Sequence, residues 1–205
     1  MIFMKQRTKE QLVTAVLDKA MSYAAYRKLI DQQAAQNSTS GPVQTEALAQ
    51  YTMLNQRRMK RLDKTLKLSE AHIAQIKAYD TPVIWLVLTE TWCGDAAQSL
   101  PMMHKIAQLN PLIDLKIVFR DQNLELMDAF LYRGGRSIPK LIAFDPEQQS
   151  ILGEWGPRPS QATKLVDLYK EEHGSLTPEF KQDLQLWYTK DRGQDIASDL
   201  LELLP

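Results

Sequence analysis

The sequence predicts an α/β fold with a central mixed sheet of about four strands and helical extensions at both ends. Three observations carry this. Val83 to Thr89 is an unbroken apolar run, the pattern of a strand buried on both faces. Between Pro82 and Glu172 strand-like and helix-like stretches alternate, which argues for parallel crossovers. Residues from Lys9 to Asp80, and those beyond Gly174, read as helical. The expected organisation is a helical extension over 1–80, an α/β domain over 81–172 and a second helical extension over 173–205.

Each element has a local reason. Leu12, Val13, Val16, Leu17 and Ala20 recur at helical spacing, and Ser22 caps a second helix carrying Tyr26, Leu29 and Ile30. Asn37 to Pro42 is a turn or short linker. A long helix follows, expected to bury Leu48, Tyr51, Met59, Leu62 and Leu66 on one face, and Ser69 caps a short helix with Ile73 and Ile76. After the first strand come a helix from Ala96 to Leu109 and a second strand from Leu115 to Arg120. A helix from Leu124 to Tyr132 is expected to stop at Gly134-Gly135. Lys140–Phe144 and Ser150–Trp155 form a hairpin around Asp145-Pro146-Glu147. Ser160 caps a helix expected to bury Leu165, Val166, Leu168 and Tyr169. Thr177-Pro178-Glu179 supplies a cap, a first-turn proline and an acid for a helix with Phe180, Leu184, Trp187 and Tyr188 on one side. A last helix ends in Leu200 to Leu204.

The 205 residues carry 25 Lys+Arg against 25 Asp+Glu, so no global field draws the chain to nucleic acid or to an anionic membrane. The basic run Arg57-Arg58, Lys60-Arg61, Lys64 and Lys67 lacks interleaved aromatics and reads as a solvated helix face. One cysteine excludes an intrachain disulfide framework, Met1 to Val13 is too polar for a signal peptide, and no apolar run nears the ~20 residues of a membrane span. A cytoplasmic protein is expected. His72, His104 and His173 sit on separate segments without partner cysteines, so no metal is expected.

The lone cysteine stands in Trp92-Cys93-Gly94-Asp95-Ala96, between the buried strand and the next helix. Unpaired N–H groups and the positive dipole end of a helix favour thiolate there, so Cys93 is expected to be exposed, with a pKa below ~8. Asp95, two residues on, opposes this: a carboxylate about 6 Å away raises a thiol pKa by roughly one to two units.

Trp-Cys-Gly after a buried strand resembles the thioredoxin active site. Pro101 falls eight residues past the cysteine, where thioredoxins carry a kinking helix proline. Arg136-Ser137-Ile138-Pro139-Lys140 is similar to the segment that holds their cis-proline, and Gly153-Glu154-Trp155-Gly156 to their last strand and glycine turn. The resemblance covers Pro82 to Glu172 and implies a thioredoxin-like three-layer sandwich. It also implies a cis Pro139, pairing of a substrate chain with the backbone of Ile138, and a lid formed by Trp92. Gly156, with Trp155, Pro157 and Arg158, would form the far rim of a groove, and Arg136 would steer anionic or thiolate groups. Gly94, Asp95 and Ala96 would tune the sulfur.

Two departures matter. Thioredoxins have a second cysteine where this chain has Ala96, and a buried acid where it has Val87. The resolving thiol and the group that serves it are absent together, which describes a monothiol protein. The expected activity is thiol–disulfide exchange: Cys93 attacks a disulfide, and an external thiol releases the product. Expected partners are protein disulfides or low-molecular-weight thiols, with no cofactor beyond a small thiol as co-substrate. Monothiol glutaredoxins suggest iron–sulfur transfer as a variant, but their lysine ahead of the cysteine loop is missing. The rival from another class is a redox-inactive binding or adaptor module that uses the helical extensions.

Overall fold

The computed structural model describes residues 7–204; residues 1–6 of the polar Met1–Val13 segment and residue 205 lie outside the described residues. The elements in order are α1 (Lys9–Leu17), α2 (Tyr23–Ala35), α3 (Glu46–Thr65), α4 (Glu70–Ala78), β1 (Val83–Thr89), α5 (Gly94–Ala107), β2 (Ile113–Phe119), α6 (Leu124–Ala129), β3 (Lys140–Asp145), β4 (Ser150–Trp155), α7 (Ser160–His173), α8 (Pro178–Asp191) and α9 (Gln194–Leu201). Ser22, Ser69 and Thr177 cap their helices as their positions suggest, each accepting a backbone N–H three residues on.

The four strands form one mixed sheet in the order β2-β1-β3-β4. β1 runs parallel to β2, pairing Val83 with Ile113 through to Thr89 with Phe119, and antiparallel to β3. β4 closes the hairpin antiparallel to β3. An interior strand has both faces covered, which is why β1 is apolar without alternation. The outer edge of β2 is partly occupied by Met21, which exchanges two backbone hydrogen bonds of 2.8 Å with Ile117 and so blunts an open edge.

The structure departs from the sequence reading in three helices. α3 buries Ala49, Thr52, Asn55, Met59 and Leu62, whereas Tyr51 is 53% exposed. The more polar face goes inward because Thr52 and Asn55 find hydrogen-bond partners there. α6 ends at Ala129 instead of Tyr132: Phe130 leaves the helix at φ −130° to bury its ring, and a Tyr132–Gly135 bridge turns through Arg133 and Gly134, both at positive φ. α7 buries Ala162 and Val166, leaving Leu165 and Leu168 in solvent; Ser160 is its first residue, and its N–H and hydroxyl bond the Asp199 carboxylate of α9.

One core of buried residues runs from Leu12 to Leu201, joining helices at both ends of the chain to the sheet. α3 and α9 pack on α5, and α1 lies against α6 and β4. No helix among the described residues is long and apolar enough to cross a membrane.

Candidate active-site groove

β1 delivers Glu90, Thr91 and Trp92 to the start of α5, and a buried crossing of this kind needs a partner for every polar group. The amino-terminal helices and the 38–41 turn supply them. Ser40 and Thr91 exchange hydrogen bonds, Ser40 N–H to Thr91 Oγ1 at 3.0 Å and Thr91 N–H to Ser40 Oγ at 2.8 Å. Thr91 Oγ1 donates to Gln33 Oε1 at 2.7 Å, and Asn55 Nδ2 donates to the Thr91 carbonyl at 2.9 Å. The buried Glu90 carboxylate accepts from the Ser40 hydroxyl and from the Asp121 N–H; burial holds its pKa above the usual carboxylate range.

Cys93 is the N-cap of α5 and lines a groove of about 800 Å³. Its thiol donates to the Ile138 carbonyl oxygen at 3.3 Å, and the residue is only 6% exposed. Burial, and after it the Asp95 charge, push the thiol pKa up to about 12; the N–H groups of Ala96 and Asp95 and the Arg158 guanidinium pull the other way. The expected exposed, acidic thiol is therefore corrected to a buried, protonated one. A bare helix N-terminus would leave the sulfur in water, but here walls from α3 and α8 rise beside it.

Asp95 is itself enclosed. Its carboxylate meets Arg158 Nη2 at 2.8 Å and accepts from the Tyr188 hydroxyl at 3.2 Å. Burial raises its pKa, with Arg158 and Tyr188 opposing. Arg158 thus receives an internal carboxylate in this state.

The other predicted residues divide between groove and support. Trp92 and Ile138 line the groove, and Arg120 stacks 5.0 Å from the Trp92 ring centre. Arg136 lines it too, but its guanidinium is clamped by both Asp128 oxygens, at 2.6 and 2.8 Å. The Ile138–Pro139 peptide is cis, as is Gly156–Pro157. Pro139 and Gly156, expected to bind the substrate, do not line the groove, whereas Pro157 and Arg158 do. Gly156 has φ +111°, and a Cβ there would collide with the Pro139 carbonyl oxygen, so its need for glycine is one of close backbone approach. Gly94 opens α5, and a Cβ on it would stand 3.6 Å from Arg58 Nη1. Ala96, in the first turn of α5, is fully buried.

Sequence reasoning missed the walls. Tyr51, Leu54 and Arg58 of α3 line the groove, as do Leu176 and, from α8, Lys181 and Gln185. The signal was present in α3: Ala49, Thr52, Asn55, Met59 and Leu62 repeat at helical spacing as well as the apolar set does. Among the described residues no cluster of three metal-ligating side chains occurs.

A thioredoxin family model matches residues 41–172, a span that takes in α3 and α4 as well as the sheet. Among solved structures the chain is similar to an HIV epitope scaffold, with 17% identity, a TM-score of 0.63 and coverage of 93% of this chain and 95% of that one. It is also similar to a protein of unknown function from Pseudomonas aeruginosa, with 20% identity, a TM-score of 0.62 and 96% of each chain covered. No curated protein matches.

Proposed function

The chain belongs to the thioredoxin family, and from that premise we propose that it is a single-thiol exchanger whose Cys93 forms a slow but long-lived mixed disulfide with a ligand held in the groove. The observation that carries this is the position of the sulfur: Cys93 lines the groove as the N-cap of α5, with its thiol on the Ile138 carbonyl.

In the exchange the Cys93 sulfur attacks one sulfur of a disulfide R–S–S–R′. The Cys93–S–R bond forms, the S–S bond breaks, and the Cys93 proton ends on the departing R′ thiol, with no net oxidation. Magnitudes set the pace. Relative to a thiol of pKa about 8.5, one at about 12 has roughly 3,000-fold less thiolate at neutral pH but is about 40-fold more nucleophilic as the anion, a net slowing of about 80-fold. The same basicity makes Cys93 a poor leaving group, and Ala96 offers no internal thiol to expel the ligand. Slow capture and slow release describe a covalent holding site better than a turnover reductase.

Intact-mass spectrometry after incubation with 2-hydroxyethyl disulfide tests this. A single adduct is expected on the wild type, absent from Cys93→Ser, forming faster as pH rises and persisting once excess disulfide is removed. An unmodified protein after hours at pH 9 would overturn the proposal. The neutral, hydrogen-bonded thiol favours one second reading, a redox-inactive binding module, in which Cys93→Ser retains all ligand binding.

A further inference from the structure

We infer that the groove selects an anionic ligand, a small carboxylate-bearing disulfide whose carboxylate is received by Arg58 while its sulfur reaches Cys93. This deepens the exchange reading above and rests on it.

The charge around the groove is lopsided. Five cations line it (Arg58, Arg120, Arg136, Arg158 and Lys181) against one carboxylate, that of Asp95. Three of the five are already paired within the protein: Arg120 with Asp121, Arg136 with Asp128 and Arg158 with Asp95. Among the described residues Arg58 and Lys181 make no ion pair. They come from different helices, Arg58 from α3 and Lys181 from α8.

Arg58 is held in place. Its Nη1 donates to Asn55 Oδ1 at 2.9 Å, while Asn55, fully buried, anchors its own amide nitrogen on the Thr91 carbonyl two residues before the cysteine. That chain of bonds sets the guanidinium over Gly94, next to the sulfur in sequence, with Nη1 3.6 Å from the position a Cβ would take there. Partial burial lowers its pKa, with the neighbouring Arg61 adding to the effect and Asp95 and Tyr188 opposing it. The Asp95 carboxylate is near enough to favour the charged guanidinium but forms no ion pair with it, being held by Arg158. A partly desolvated guanidinium without a direct carboxylate partner favours an incoming anion, and its planar fork suits a carboxylate.

The rest of the groove fits a ligand of modest size. Its volume of about 800 Å³ lies in the range of small-molecule sites. Tyr51, 53% exposed, and Leu54, 48% exposed, offer apolar surface beside Arg58 for the carbon atoms of such a ligand.

The test compares the rates at which three symmetric disulfides modify Cys93 at low ionic strength: 3,3′-dithiodipropionate (dianionic), 2-hydroxyethyl disulfide (neutral) and cystamine (dicationic). Comparing the same rate ratio in wild type and mutant cancels intrinsic differences in disulfide chemistry, and the neutral probe reports the reactivity of Cys93 itself in each variant. Loss of one charge-assisted hydrogen bond predicts that Arg58→Gln lowers the dianion-to-dication rate ratio about tenfold or more. Lys181→Gln should lower it less, Arg58→Lys should restore part of it, and added salt should compress it in the wild type. An unchanged ratio in Arg58→Gln, with all three probes reacting, overturns the inference and leaves the exchange reading standing. If no probe modifies Cys93, the exchange reading falls, and calorimetric titration of dithiodipropionate into Cys93→Ser decides the anion site alone. Binding that disappears in Cys93→Ser/Arg58→Gln supports it, and equal binding or none in both overturns it.

Discussion

The two sides of Cys93 are held by different physics. Upstream, Glu90 and Thr91 are clamped by hydrogen bonds with Gln33, Ser40 and Asn55, most of them between neutral groups and nearly all buried. Downstream, Asp95 is set by charge, with Arg158 at 2.8 Å and the Tyr188 hydroxyl at 3.2 Å. The upstream partners come from before the sheet in sequence and the downstream partners from its end. A neutral network fixes position, because each of its buried members needs its bond. A charged cluster adjusts the proton affinity that burial has already raised, because a charge acts on the sulfur without touching it. Geometry and electrostatics of one cysteine are thus assigned to opposite ends of the chain.

Breaking the upstream clamp should have the largest effect. Thr91→Val keeps the shape but leaves the Ser40 N–H and the Gln33 amide oxygen without their partner. We expect a loss of about 3 kcal/mol of folding stability in urea unfolding. A loss below about 1 kcal/mol would mean the network is not what holds the loop.

Asp95→Asn tests the downstream side. It should lower the Cys93 pKa from about 12 toward the ordinary thiol range. The adduct rate at pH 8 then rises about threefold for each tenfold gain in thiolate. Leaving the half-buried Arg158 without its carboxylate should cost stability, about 1–3 kcal/mol. A fall in rate would show that the Asp95 charge does not govern the sulfur.

The pH dependence sharpens the same point. The folded pKa of Cys93, about 12, exceeds the value of about 8.5 for an unfolded thiol, so folding favours the protonated form. Its contribution to stability is complete below about pH 8.5 and is lost as pH rises toward 12. The urea midpoint of the wild type should therefore decline relative to Cys93→Ser above about pH 8.5, and parallel curves would refute the raised pKa. The smallest effect is expected for Tyr188→Phe, which removes one hydrogen bond to Asp95, about 1 kcal/mol in the same unfolding measurement.

What lay within reach of the sequence was set by neighbours along the chain. The apolar run of β1, the caps at Ser22, Ser69 and Thr177, the hairpin around Asp145-Pro146-Glu147 and the place of Cys93 between strand and helix all follow from period and local hydrogen bonding. The fold class followed from their order, and the family from a handful of residues around Cys93 and Pro139. What only the tertiary structure decided depends on partners far off in sequence. The inward face of α3 could not be chosen from hydrophobicity, because Asn55 is stable inside only through Thr91, 36 residues away. The end of α6 was set by the pocket that takes Phe130, and the exposed Leu168 by what α7 does not meet. The acidity of Cys93 was the largest reversal. A helix N-terminus is a local feature and argues for thiolate, but desolvation and the Asp95 charge depend on the walls around the sulfur, and at 6% exposure they outweigh it.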